Sequence, residues 1–339
     1  MMFMIAAGIV LFSCQSRDRG AVSQGNSDSA FYARFIWKAP DSSLIPQTEA
    51  GNLIRYGRKL ITETSLYFGP GGRISQAENG MNCQNCHLQA GTHPYANPFF
   101  AVASCYPLFR ARSGHLESVE SRVNDCLERS LNGKRIDSTS IEMKAMVAYI
   151  EWIGSEVPRG IRPRGSGTVA LRLLNRAADT IRGMVLYQIR CQACHGPEGQ
   201  GQPRPDRSGY IYPPLWGNHA YNVSAGMYRL SSLAGFIKYA MPFGVKYPMA
   251  VLTDEQAWDL AAFINSKPHP LRLFKQDWPL LASKPFDYPF GPYADSFAET
   301  QHRYGPFIPI EKNKNAEAQK NNELSAHATR LSVDTPTSR

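Results

Sequence analysis

Cys83-Gln84-Asn85-Cys86-His87 and Cys191-Gln192-Ala193-Cys194-His195 are two copies of one pattern, and they decide how the chain is read. In each copy two thiols stand three positions apart and an imidazole follows at once. C-x-x-C-H is the signature of c-type haem attachment. Its spacing lets both thiols add to the vinyl groups of one haem while the next residue turns a nitrogen onto the iron. A zinc ribbon would set its C-x-x-C pairs about 15 to 20 residues apart, whereas His87 and His195 are 108 residues apart. A thioredoxin-like pair leaves the histidines unexplained. Two such motifs at domain spacing imply two covalently bound haems c, attached through Cys83, Cys86, Cys191 and Cys194.

The segments around the motifs repeat as well. Leu53, Ile54, Tyr56, Gly57, Leu60 and Ile61 recur at near-helical spacing ahead of the first, as Gly183-Met184-Val185-Leu186-Tyr187 stands ahead of the second. Downstream, Thr139 to Ile150 aligns without gaps to Thr253 to Ile264; each begins with polar N-cap residues and ends in Ala-aromatic-Ile. The fold class is therefore all-α, a tandem pair of cytochrome c domains with extended loops. The expected divisions are a signal segment 1–14, a linker 15–45 whose Phe31, Phe35 and Trp37 dock on the body, a first domain 46–156 and a linker 157–170. A second domain 171–268, an irregular Pro- and aromatic-rich strap 269–310 and a disordered tail 311–339 complete the chain.

An electron-transferring c-type iron needs a second axial ligand, commonly Met or His. Met241 lies 23 residues before the last Ile of its repeat and 46 after His195, which makes it the best candidate; Met227 and Met249 are alternatives. The same count back from Ile150 reaches Leu127, with no Met or His there but with Cys126 beside it. His87/Cys126 ligation follows for the first site. A thiolate ligand lowers the potential of ferric iron, which suits catalysis better than simple relay. Two alternatives stay open: a disulfide between Cys105 and Cys126 in an oxidising compartment, and ligation by Cys105. Around Cys126 stand Arg110, Arg112, Arg122, Arg129 and Lys134 with few carboxylates, so an anion pocket is expected there.

The 339 residues carry a net charge of +9 and are 43% hydrophobic, enough for packed cores and suited to an anionic partner. No basic run interleaved with aromatics, Walker motif or Rossmann glycine pattern points to nucleic acid or nucleotides. With 27 Gly and 24 Pro, long uninterrupted helices are not expected. Met1 to Ser13 is an apolar run, too short to span a bilayer, which needs about 18 to 20 residues. It ends in Leu11-Phe12-Ser13-Cys14, similar to a lipobox, so export and a lipid anchor at Cys14 are expected, with ordinary signal cleavage the alternative.

From about Asn52 to Phe307 the chain resembles the thiosulfate dehydrogenase family of dihaem cytochromes c. The likeness runs through the first motif to Thr92, Phe109-Arg110-Ala111-Arg112, Arg122 to Gly133, and the second motif to Met241-Pro242. It implies that two thiosulfates and tetrathionate are interconverted at a first iron held by His87 and Cys126, with Arg112, Arg122 and Ser130 lining the pocket. A second haem, with His195 and Met241, relays electrons to a cytochrome or other periplasmic carrier. Some members carry Lys just before the distal Met; here that residue is Ala240. A non-catalytic dihaem carrier and a subunit of a sulfur-oxidising complex are the competing readings.

Overall fold

The computed structural model describes residues 32, 34, 36–76, 79–206 and 208–333, with side chains described as far as 320. The signal segment, Cys14, Phe31 and Phe35 lie outside the described residues.

Two helix crossings organise the two halves. Helix α1 (Glu49–Thr62) starts at Thr48, whose hydroxyl accepts from Gly51 N, and carries Glu49 in its first turn, favourable to the helix dipole. Downstream of the first motif come α2 (Val119–Arg129), capped by Ser118, and α3 (Ile141–Ile153), capped by Ser140. Helix α3 buries Met143, Met146, Tyr149, Ile150 and Ile153 on the face that meets α1. At the crossing, a Cβ on Gly57 would lie 1.8 Å from the Ala145 carbonyl oxygen, so only glycine lets the helices approach this closely. The second half repeats the device. Helix α4 (Thr180–Arg190) meets α6 (Asp254–Ser266) at Gly183, where a Cβ would lie 2.0 Å from the Asp259 carbonyl oxygen. Ala145 and Asp259 occupy the same place in the aligned repeat. Helix α5 (Leu230–Ala240) packs against α6 and buries Leu230, Leu233, Ala234, Phe236 and Ile237.

Strand content is limited to two antiparallel ribbons among the described residues, β1 (Leu108–Arg110) with β2 (His115–Glu117) and β3 (Gln202–Pro203) with β4 (Tyr210–Tyr212). The molecule is mostly helical, as the motif spacing predicts.

The halves are joined by buried polar contacts as well as apolar ones. Asn222, fully buried, donates from its backbone to Arg129 O at 3.1 Å and from its amide to Glu128 O at 2.9 Å and Asn132 Oδ1 at 3.0 Å. The connecting stretch docks on the first half, where Gly165 O accepts from Tyr95 N and Gly167 O from Asn97 N. Beyond α6 the chain runs irregularly across both halves. Asp287, buried, anchors it by accepting from Arg229 Nε at 2.8 Å and Ser231 N at 2.8 Å.

The tail departs from expectation. Residues Ile308–Val333 form one helix, α7, where the sequence reading places disorder from 311 and no long helix. Phe307 and Ile310 are buried at its start, and the Glu, Ala, Lys and Gln that follow have high intrinsic helix propensity even without an apolar stripe. No helix of the described residues is long and apolar enough to cross a membrane.

Candidate active site

The first motif is held by its own side chains. Cys83–Asn85 form a short 3-10 turn in which Asn82 N donates to Asn85 Oδ1 at 2.7 Å, while Asn82 Oδ1 accepts from Ser65 N at 2.8 Å. Thr64 Oγ1 accepts from Cys83 N at 3.0 Å. His87 Nδ1 donates to the Asn97 carbonyl at 2.5 Å, and its ring lies 4.4 Å from that of Phe99. With Nδ1–H committed, Nε2 keeps its lone pair for a metal. Burial lowers the His87 pKa to about 4, so the ring is neutral, as ligation requires. Burial likewise pushes the Cys83 and Cys86 thiols up to about 11 and about 12, and the nearby Cys126 sulfur adds to both.

The second motif lines an apolar cavity of about 500 Å³. Cys191, Cys194 and His195 meet there with Met241, Met227, Phe236 and Ile237. His195 Nδ1 donates to Pro213 O at 2.8 Å, again leaving Nε2 for a metal, and burial lowers the pKa of the ring. Two thiols, an imidazole and a thioether around one apolar cavity fit a haem c. Of the three methionines considered, Met249 is 74% exposed and does not line the cavity. Ala240 is buried and Lys238 is ion-paired with Asp254. Cys86 of the first motif and the adjoining Leu88 reach the same cavity, so the two motifs adjoin.

Cys126 sits on α2 one turn beyond Arg122, and its thiol is free. Cys105 is disulfide-bonded. The two cysteines therefore do not pair with each other. The pKa of Arg122 is raised, chiefly by the Cys126 sulfur, and its side chain is 32% exposed. Arg112 occupies the turn between β1 and β2, where Nη1 donates to Ser224 O at 3.0 Å rather than to a carboxylate. Burial, then repulsion from Arg129, lowers its pKa to about 10. Ser130 caps the C-terminus of α2 and donates from its backbone to Cys126 O at 2.9 Å. The structure thus brings His87, Cys126 and Arg122 together, with Arg112 beside them.

Sequence reasoning misses the strap's part in this site. Arg129, one of the cations that the sequence sets around Cys126, gives a bidentate pair to Asp277 at 2.7 and 2.8 Å, with both side chains almost fully buried. The neighbouring Trp278 donates from its backbone to Arg112 O at 2.6 Å and offers its ring 5.4 Å from the guanidinium. A separation of about 150 residues hides both contacts; the one signal is that a lone acid and an aromatic adjoin in a segment without periodicity.

Residues 181–267 match the cytochrome c family, and residues 74–158 match the SoxA/TsdA cytochrome c domain. A thiosulfate dehydrogenase of Psychrobacter arcticus is 37% identical over 75% of this chain and 75% of its own length. One of Allochromatium vinosum is 39% identical over 68% of this chain and 84% of its own. The solved thiosulfate dehydrogenase TsdBA of Marichromatium purpuratum, in its as-isolated form, superposes with a TM-score of 0.62 at 29% identity; the match covers 69% of this chain and 50% of that one. With two cytochrome c domains and kinship of this extent, the chain is an enzyme of the thiosulfate dehydrogenase family.

Proposed function

We propose that this protein oxidises thiosulfate, joining two dianions into tetrathionate beside Cys126, and that the electrons leave through the second haem. The observation that carries the reading is the free Cys126 thiol one helical turn from Arg122 and close to the His87 motif. Kinship with enzymes named thiosulfate dehydrogenase supports the substrate. In this reading His87 and Cys126 would hold the iron of the haem c attached at Cys83 and Cys86, and His195 and Met241 that of the haem c attached at Cys191 and Cys194. When bound, these haems supply the acceptors for two one-electron transfers.

The chain's own residues deal with charge and position. Two dianions about 5 Å apart repel by roughly 3 kcal/mol even at the dielectric constant of water, and by more in a cleft. Arg112 and Arg122 offset that repulsion and orient the sulfonate ends, with Ser130 joining them, so that the sulfane sulfurs face Cys126. The Cys126 thiolate and the first thiosulfate form a sulfur–sulfur bond and give up two electrons. The sulfane sulfur of the second thiosulfate then displaces Cys126, closing tetrathionate and regenerating the thiolate. The first half thus holds the reaction and the second passes electrons to a cytochrome or other periplasmic carrier. Export belongs to the same proposal.

Anaerobic mixing of oxidised holoprotein with thiosulfate tests it. Haem reduction is expected with one tetrathionate per two electrons, and Cys126→Met is expected to retain both haems while losing about a thousandfold or more in turnover. Full turnover by that variant would sink the mechanism.

A further inference from the structure

We infer that Asn97 is a positioning residue that ties the His87 imidazole to the wall of the second haem cavity through Met227. The inference rests on the assignment of His87 as an iron ligand. Asn97 holds a left-handed backbone, φ 53°, which Asn tolerates better than other residues bearing a Cβ. That conformation serves four contacts at once. Its carbonyl accepts from His87 Nδ1 at 2.5 Å, its N–H donates to Gly167 O of the connecting stretch at 3.1 Å, and its amide nitrogen lies 3.8 Å from Met227 Sδ and 3.4 Å from Cys86 O.

Met227 is buried and lines the same cavity as His195 and Met241. Its backbone is fixed too, since Met227 O accepts from the buried Asn265 amide at 3.2 Å. One residue thus sets the tautomer and ring direction of one ligand and rests its side chain on the wall of the other site. An outer hydrogen bond to a ligating histidine tunes ligand basicity as well as orientation. A displacement of Met227 is therefore passed to the first site through the 3.8 Å amide–sulfur contact and the 2.5 Å bond to His87, with no flexible segment between them. Glycine at 97 would keep the backbone and the bond to His87 but lose the amide's contacts with Met227 Sδ and Cys86 O.

The test uses oxidised holoprotein and the low-spin EPR signals of its two haems. Met227→Leu is expected to shift the first haem's g-values as well as the second's, although residue 227 belongs to the second cavity. Asn97→Gly is expected to shift the first haem's signal, and the double variant to shift it no further than the larger single change. If Met227→Leu moves only the second haem's signal, or the two shifts add, the coupling is overturned. His87→Ala checks the underlying assignment separately. Loss of the first haem's imidazole signature is expected, and its persistence would overturn the ligation itself.

Discussion

Charge at the scale of single residues separates the arginines around Cys126 into two kinds. Arg129 is structural: both its ends of the bidentate pair with Asp277 are buried, and removing one partner of such a pair costs about 3–5 kcal/mol. Asp277→Ala is therefore expected to lower the denaturant midpoint strongly in equilibrium unfolding, and an unchanged midpoint would refute the structural role. Arg112 and Arg122 have no such full carboxylate partnership; Arg122 reaches Asp125 only at 3.9 Å and Arg112 meets a carbonyl. Either residue changed to Gln is expected to keep both haems and the melting temperature but to lose about 10²-fold or more in kcat/KM for thiosulfate. A fall of less than twofold would remove that arginine from the pocket. The two C-x-x-C-H motifs were legible because their spacing is local chemistry. The division among the arginines was not, because it depends on Asp277 and Trp278, which only folding brings alongside.

Helix pairs carry the architecture at the next scale, and each pair turns on one glycine. Gly183→Ala would gain about 1 kcal/mol of helix propensity. It would also place a carbon 2.0 Å from a backbone carbonyl that cannot move without shifting α6. Overpacking of this kind costs about 1–3 kcal/mol or more, so the variant is expected to melt several degrees lower than the parent. Gly226→Ala is the control, since nothing lies within 4 Å of the added carbon and its φ is not left-handed; its melting temperature is expected to stay near the parent's. Equal melting of the two variants would show that the crossing is not glycine-dependent. The helix pairs themselves were readable from the gapless repeat of Thr139–Ile150 in Thr253–Ile264 and from N-caps at Ser140 and Thr253. Helix α7 was not, because apolar periodicity reports a buried face. A helix docked by Phe307 and Ile310 and then sustained by propensity leaves little such signal.

At the scale of the molecule, the proposed function has the net charge of +9 and the arginines near Cys126 act on the same ligand, a small dianion. Long-range attraction to the whole surface is screened over about 8–10 Å at ionic strengths of 0.1–0.15 M, whereas contacts inside the partly buried pocket are screened much less. The two contributions therefore separate experimentally. Raising ionic strength is expected to lower kcat/KM for thiosulfate steeply while leaving kcat at saturating substrate nearly unchanged, because encounter depends on the global field and the bound arrangement depends on Arg112 and Arg122. In Arg122→Gln the salt dependence of kcat/KM should persist from a lower starting value, since most of the surface charge remains. Stopped-flow haem reduction across a salt series measures both quantities in one preparation. If kcat/KM were independent of salt, the positive surface would have no part in substrate capture, and its partner would have to be sought in the acceptor or in an anionic membrane surface instead.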